Sequence, residues 1–218
     1  MKINEIFYSV QGEGQTMGYP TIFVRTSGCN LRCSWCDTTY AYEDGKETPI
    51  PQILKEVGKY KCKRICLTGG EPLAQSESIE LVRKLLNMGY SVDVETNGSI
   101  SVEPLLQAVA KKEQERLLIS LDLKTPSSGM KDKNDYDNVA RLRPHDQLKF
   151  IIADKKDYTW IKKAMDYFPP KCRVYAHPVG GADSKLLAKL AEWILEDNLN
   201  VSIGVQLHKI IWGNEKGR

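Results

Sequence analysis

GCNLRCSWCDTT, residues 28–39, sets Cys29, Cys33 and Cys36 in a C-x3-C-x2-C spacing within one short loop. A structural zinc site or a fully ligated iron–sulfur cluster takes four protein ligands, whereas a reactive metal centre keeps a position open for water or substrate. Three thiols this close therefore point to a cluster with one exposed iron. The plainer reading is three buried cysteines, or half of a zinc knuckle completed from elsewhere. It fits less well, because short cysteine spacings in a disulfide-poor chain mark metal binding. Gly28 lets the backbone bend and approach closely. Trp35, just before the last cysteine, puts an indole where it can screen a cluster from water and tune its potential.

On its N-terminal side the loop is fed by a strand, PTIFVRT at 20–26. That strand follows another at 2–10, which runs into the glycine-rich turn Gln11-Gly12-Glu13-Gly14. On the C-terminal side, Thr48-Pro49 reads as an N-cap with proline at the first helical position, and Ile50, Ile53, Leu54 and Val57 keep helical spacing up to Gly58. A strand at 64–68 ends in Gly69-Gly70-Glu71-Pro72. The stripe Ile79, Val82, Leu85, Leu86 marks a helix that stops at Gly89, and a strand at 91–95 ends in Thr96-Asn97-Gly98. Val102, Leu105, Leu106 and Val109 mark another helix, and a strand at 117–121 ends in Asp122-Leu123-Lys124. Residues 126–143 are polar and hold at most a short helix near Val139, so a regular helical crossover is missing there.

A strand at 147–153 follows, then a helix capped by Asp157, with Trp160, Ile161, Ala164 and Met165 on one face and Pro169-Pro170 at its end. A strand at 173–176 runs into His177-Pro178-Val179-Gly180-Gly181, Asp183 caps the longest helix, and a last strand at 201–205 precedes Gln206-Leu207-His208-Lys209. Strands alternating with helices imply an α/β fold of parallel βαβ units, closed or partly closed into a barrel. At 218 residues, without a fixed-period repeat or a long linker, residues 1–218 read as one domain with a substantial core.

The 31 basic and 28 acidic residues are interspersed, for a formal charge of +3, and no basic stripe argues for nucleic acid. The N-terminus lacks the continuous apolar run of a signal peptide, and nothing approaches the ~20 apolar residues of a membrane span. Three of six cysteines crowded into one loop suit a reducing cytoplasm. The expected setting is cytoplasmic, with neither a membrane nor a nucleic-acid partner.

QGEG, the cysteines, TGGEP, ETNG, DLK, HPVGG and QLHK each lie at the C-terminal end of a predicted strand, where parallel α/β folds bind ligands. The cysteine spacing, the aromatic before the third cysteine and the GGEP turn resemble the radical S-adenosylmethionine (SAM) superfamily. The fold so implied is a modified, partial (β/α) barrel of the radical SAM type with a shortened crossover region. The resemblance implies a [4Fe-4S] cluster on Cys29, Cys33 and Cys36, with SAM on the exposed iron. Reductive cleavage of SAM would then yield a 5'-deoxyadenosyl radical that takes a hydrogen from substrate. The SAM contacts would be Trp35, Cys36, Asp37, Gly70, Asp122, Leu123, Lys124, His177, Pro178, Val179 and Gly180. Without that context, a capping carboxylate at Asp122 to Lys124 and a proline-stiffened turn at His177 to Gly180 would be equally good readings.

Gln11 to Gly14 and Arg25 offer a planar amide and a carboxylate to a nitrogen-rich ring, and a guanidinium to an acid. Alone, QGEG is an ordinary hairpin turn. With Cys36-Asp37-Thr38 and the terminal QLHK, it resembles the 7-carboxy-7-deazaguanine synthase family over nearly the whole chain, from Gln11 to His208. That resemblance implies conversion of 6-carboxy-5,6,7,8-tetrahydropterin to 7-carboxy-7-deazaguanine with loss of ammonia, the chemistry of queuosine and other 7-deazapurine biosynthesis. Val10, Gln11, Gly12, Glu13, Arg25, Thr68 and His208 would contact the pterin, and Thr38 would bind a magnesium ion. It also implies a homodimer and an electron donor such as flavodoxin or ferredoxin.

Two segments depart from the pattern of some members: residues 210–218 extend past the point a few residues after the His where those members end, and Asp122-Leu123-Lys124 stands where some have Ser-Pro-Lys. Two other readings compete. An activase for a glycyl radical enzyme would need a protein-docking face in place of the pocket, and a non-catalytic iron–sulfur or zinc module would leave GGEP unexplained. Cys62, Cys66 and Cys172 read as ordinary reduced cysteines.

Overall fold

Along the strands of this chain, side chains destined for a helix-covered face alternate with polar ones. The computed structural model, which describes residues 1–180, 184–215 and 217, shows where each set goes. The strands are β1 (Lys2–Val10), β2 (Pro20–Thr26), β3 (Lys46–Glu47), β4 (Arg64–Gly69), β5 (Ser91–Thr96), β6 (Leu117–Leu123), β7 (Gln147–Ile152), β8 (Arg173–Pro178) and β9 (Ser202–Ile203). They form one sheet in the order β3-β1-β2-β4-β5-β6-β7-β8-β9. From β2 onward neighbours are parallel, while β1 runs antiparallel to both β2 and β3. The helices are α1 (Ile50–Val57), α2 (Glu77–Asn87), α3 (Glu103–Ala108), α4 (Asp137–Arg141), α5 (Lys155–Tyr167), α6 (Ser184–Glu196) and α7 (Leu207–Trp212).

Because successive strand residues face opposite ways, Ile22 and Val24, Ile65 and Leu67, Val92 and Val94, Ile119 and Leu121, and Leu148 and Phe150 share one face. They pack there against Ile53, Leu81, Leu85, Leu105, Ile161 and Leu190 of the helices. Full burial of each such side chain contributes about 1.5–3 kcal/mol. The alternate set, Arg25, Thr68, Glu95, Asp122, Lys149 and His177, lines the concave side. Among the described residues no strand pairing joins β3 to β9, so the barrel is partial. The turn after β1 spans the gap: Leu207 N donates to Gly12 O at 2.9 Å, and Gln15 N to Gln147 Oε1 at 2.8 Å.

The expected short crossover lies between β6 and β7, where the five-residue α4 is the only α-helix. Asparagine side chains hold this segment in place: Lys124 N donates to Asn134 Oδ1 within it, and Val102 N, just before α3, donates to Asn138 Oδ1, each at 2.9 Å.

Several boundaries differ from expectation. Thr48 does not cap α1: its hydroxyl turns back to Lys46 O at 3.1 Å, and Pro49 is the cap residue, with Pro51 in the first turn. Asp154, not Asp157, caps α5, accepting from Lys156 N at 2.8 Å and Asp157 N at 3.0 Å. Asp157 is buried instead, and its carboxylate binds Ser127 N and Ala153 N, both at 2.9 Å. The last strand is only two residues long, and α5 is as long as α6, 13 residues each. The expected Asp183 cap and Gly181 lie outside the described residues. No described helix is long and apolar enough to cross a membrane.

Candidate active site

The C-terminal ends of β2, β4, β5, β6, β7 and β8, with the turn after β1 and the start of α7, enclose a cavity of about 370 Å³, a volume ordinary for small-molecule sites. Cys29, Cys33 and Cys36 stand at one end. Their loop is pinned through its backbone: Gly28 N donates to Ala41 O at 2.8 Å, Glu71 N to Gly28 O at 2.8 Å, and Gly70 N to Thr26 O at 3.1 Å. Gly70 permits this approach, since a Cβ there would collide with Gly28 O. Its amide is thereby spent, so its carbonyl is the backbone group it can offer a ligand. Glu71, fully buried, ties the turn to the next strand end by accepting from Leu73 N (2.9 Å), Thr96 Oγ1 (2.8 Å) and Asn97 N (2.7 Å).

Leu31 N and Asn97 Nδ2 reach Cys29 Sγ at 3.5 and 3.8 Å, supplying the N–H donors that tune cluster sulfurs. Burial raises the Cys33 thiol; Lys124 opposes the rise, and the neighbouring thiols add to it. Bound iron takes such groups as thiolates and removes that penalty. Among the described residues, the trio of possible metal ligands that closes to within 4.8 Å is Cys66, Asp93 and Glu95. The loop thiols stand further apart, which suits one thiolate on each of several irons better than three on a single zinc ion. All six cysteines are free thiols, and Cys62 Sγ donates to Pro20 O at 3.2 Å, far from this chemistry.

The cavity's middle wall carries Trp35, Gly70, Asp122, Lys124, His177, Pro178, Val179 and Gly180. Asp122 and Lys124 pair at 3.0 Å. Asp122 Oδ1 and both ring nitrogens of the buried His177 have no hydrogen-bond partner. Buried polar atoms are rarely left so, and these orphans fit a polar ligand such as the nucleoside of SAM. Burial lowers the His177 pKa against the opposing charge of Glu13, so the ring is neutral. The Leu123 side chain lies apart from these. The alternation that turns Asp122 inward turns Leu123 outward, where it is 2% exposed within the core, and it does not line the cavity.

At the far end lie Val10, Gln11, Gly12, Glu13, Arg25, Thr68 and His208. Gln11 is committed on both sides: Oε1 accepts from Gly12 N at 2.8 Å, and Nε2 donates to Glu95 Oε1 at 3.2 Å. It shapes the pocket, and of its amide only the second Nε2 hydrogen is left to offer a ring. Glu13 accepts from Lys149 Nζ at 2.6 Å and Gln206 Nε2 at 2.8 Å. Burial is the largest single influence on Glu13 and opposes its ionisation, but the Lys149 charge and the other favourable interactions, hydrogen bonds from Lys149 and Gln206 among them, together outweigh it and hold the carboxyl well below the usual range. Burial likewise opposes the charge on Lys149, and Glu13, Glu95 and Asp122 overcome it. Arg25 spends Nε on Glu5 Oε1 at 2.7 Å, and Thr68 Oγ1 donates to Glu95 Oε2 at 2.8 Å. The His208 ring packs on Gly12, where any Cβ would strike it, and burial keeps that ring neutral. Thr38 Oγ1 donates to Asp37 Oδ1 at 2.9 Å, and Asp37 also binds Lys209 Nζ at 2.8 Å.

Lys149 and Ser120 also line the cavity and escaped the sequence reading, while Glu95 and Gln206, which belong to the ETNG and QLHK motifs, line it too without having been given a role. The missed signal is polar residues two apart in parallel strands, such as Asp93 and Glu95 or Ser120 and Asp122. Ordinary parallel strands are apolar on both faces, so such pairs mark the lumen of a barrel.

The family model of the radical SAM superfamily matches residues 23–168. The chain is 37% identical over 217 residues to the 7-carboxy-7-deazaguanine synthase of Thermoplasma acidophilum, covering 100% of both chains. It is 36% identical to that of Methanospirillum hungatei JF-1, covering 97% of this chain and 85% of the other. Among solved structures, QueE from Escherichia coli superposes with a TM-score of 0.71 at 19% identity, over 95% of this chain and 94% of that one. Streptococcus suis SuiB bound to S-adenosylmethionine gives a TM-score of 0.52 at 12% identity, over 81% and 47%. At such identities these likenesses speak for the fold alone.

Proposed function

The chain belongs to the radical SAM superfamily and, within it, to the 7-carboxy-7-deazaguanine synthases. On that premise we propose that it is the lyase converting 6-carboxy-5,6,7,8-tetrahydropterin to 7-carboxy-7-deazaguanine with loss of ammonia. The observation that carries this reading is one 370 Å³ cavity with three free thiols at one end and a charged, hydrogen-bonding wall at the other. An activase would present a docking face to a protein; here the polar groups converge inward on a small molecule.

Cys29, Cys33 and Cys36 would hold the [4Fe-4S] cluster. Trp35, Cys36, Asp37, Gly70, Asp122, Lys124 and the His177 to Gly180 turn would hold SAM, and Leu123 could take part only through its backbone. When bound, cluster and SAM supply one-electron cleavage chemistry that ends in removal of a substrate hydrogen atom. The chain's own residues orient the substrate. Ionised Glu13 accepts N–H groups of the pterin's amidine edge, the terminal nitrogens of Arg25 meet its carboxylate as a charge-assisted pair, and neutral His208 packs across the ring. Thr68 and Gln11 fix Glu95 at the floor. Thr38, its proton directed to Asp37, would offer a hydroxyl oxygen to a magnesium ion.

Residues 1–218 would work as one domain, in the cytoplasm and as a homodimer, with a donor of the flavodoxin or ferredoxin kind supplying the electron. The test is anaerobic incubation of reconstituted protein with SAM, reductant and the carboxytetrahydropterin, followed by mass analysis. The product expected is 7-carboxy-7-deazaguanine, and unchanged pterin beside cleaved SAM would refute the assignment.

A further inference from the structure

Below the active-site floor, toward the N-terminal ends of the strands, lies a second cavity of about 300 Å³. Gln11 belongs to the walls of both. Between them sits a buried knot of acids that the proposed reaction leaves unassigned: Cys66 on β4, with Asp93 and Glu95 on β5. The thiol and one oxygen of each carboxyl lie within 4.8 Å of one another. The sheet dictates the knot, because Cys66 pairs with Asp93 across β4 and β5, and residues two apart on a strand face the same way. Glu95 lines the upper cavity and Asp93 the lower.

Their hydrogen bonding is unequal. Both Glu95 oxygens are satisfied, by Gln11 and Thr68. Asp93 accepts from Ser120 Oγ through Oδ1, and Ser120 is itself held by Gln147. Asp93 Oδ2 has no partner, although the residue is only 7% exposed. An ionised oxygen left this way is costly, whereas a proton removes the charge and supplies a donor. Asp93 faces Cys66 from β4, Glu95 on its own strand and Lys149 from β7, and it feels the charge of Asp146 just before β7. Burial and Glu95 push its carboxyl up to about 8, against Ser120 and Lys149. A divalent metal on the trio is the alternative. With both Glu95 oxygens already taken and Lys149 already supplying positive charge, the trio lacks a proton more than it lacks a dication.

We propose that Asp93 carries a proton and relays it between Glu95 in the active-site floor and water in the lower cavity, giving the enzyme a second, basal proton path. In the step, the Asp93 O–H bond breaks as an O–H bond forms on Glu95, across one bridging water or the Cys66 thiol. Asp93 then regains a proton from the lower cavity, and no electrons are transferred. The purpose rests on the proposed function, since ammonia leaving a ring takes up a proton.

Two measurements test this. Infrared titration of the protein without pterin should show a protonated-carboxyl C=O band that is lost near pH 8 and is absent from Asp93→Asn. In coupled turnover, Asp93→Asn should lose at least about tenfold, together with the pH dependence near 8. It should keep its cluster spectrum and its pterin-independent SAM cleavage, and Asp93→Glu should recover most of the rate. A parental infrared band in Asp93→Asn, or parental turnover with an unchanged pH profile, overturns the proposal. So does a stoichiometric divalent ion outside the cluster that disappears in Cys66→Ala. If the parent makes no deazaguanine acid, the functional reading fails by itself. The infrared arm still decides the proton, and without the band the relay falls.

Discussion

Replacing Lys149 with methionine removes the cation that holds Glu13 ionised while preserving most of the stem's packing. Nζ sits 2.6 Å from Glu13 Oε2, and the two side chains are 6% and 16% exposed, so solvent screens the pair weakly. Breaking a buried pair by deleting one partner costs about 3–5 kcal/mol, because the remaining charge is stranded. Gln206 still donates to Glu13 at 2.8 Å, which places the expected loss near the lower end, about 3 kcal/mol. For a chain of this size that corresponds to a fall in Tm of roughly 6–12 °C.

The sign of the pH dependence follows from Glu13, whose folded pKa is depressed. Its contribution is present above the ordinary carboxylate range and is lost as pH falls through and below it. The gap between parent and Lys149→Met should therefore narrow as pH drops from about 5 toward 3, through the ordinary carboxylate range. Urea unfolding of both proteins across that range reads both quantities. The double variant Glu13→Gln, Lys149→Met should return to within about 1 kcal/mol of the parent, since it strands no charge. A loss below about 1 kcal/mol for the single variant, or a gap that does not narrow in acid, would refute the buried-pair argument.

Single alanine variants of Cys29, Cys33 and Cys36 should each lose iron and sulfide after anaerobic reconstitution, while Cys62→Ala and Cys172→Ala retain them; equal losses would break the assignment. Thr38→Ala should flatten the dependence of turnover on magnesium concentration, and superimposable curves would remove Thr38 from a metal site. Alanine at Glu13 or Arg25 should remove charge-assisted interactions worth about 1.5–3 kcal/mol each, lowering coupled turnover by roughly one to two decades, and alanine at the neutral His208 should lower it less. Pterin-independent SAM cleavage and the cluster spectrum should survive all three changes, and their loss would mean that these residues serve the cluster.

The succession of strands and helices and the clustering of motifs at the strand ends were legible in the sequence, because apolar periodicity and glycine punctuation are local signals; the two-residue β3 and the antiparallel pairing of β1 were not. The caps were less legible. Thr48 and Asp157 carry the right chemistry, yet Pro49 and Asp154 take those positions, since the winner is decided by where the preceding strand releases the chain. The lumen was the larger gap. Lys149 in QLKFII reads as a surface residue until the sheet's curvature puts its Nζ on Glu13, 136 positions away in sequence. Glu95 and Asp93 look like the polar half of an exposed strand for the same reason. Leu123 was assigned to the site with its neighbours, although a strand's two-residue period sends it the other way.

The most direct test of the account is one anaerobic reaction of reconstituted protein with SAM, reductant and 6-carboxy-5,6,7,8-tetrahydropterin, with pterin, deazapurine and 5'-deoxyadenosine all quantified by mass. The account predicts 7-carboxy-7-deazaguanine formed by the parent and nearly absent from Glu13→Ala, with slow SAM cleavage in both. Cleaved SAM with untouched pterin in the parent, or equal product from the variant, would contradict it.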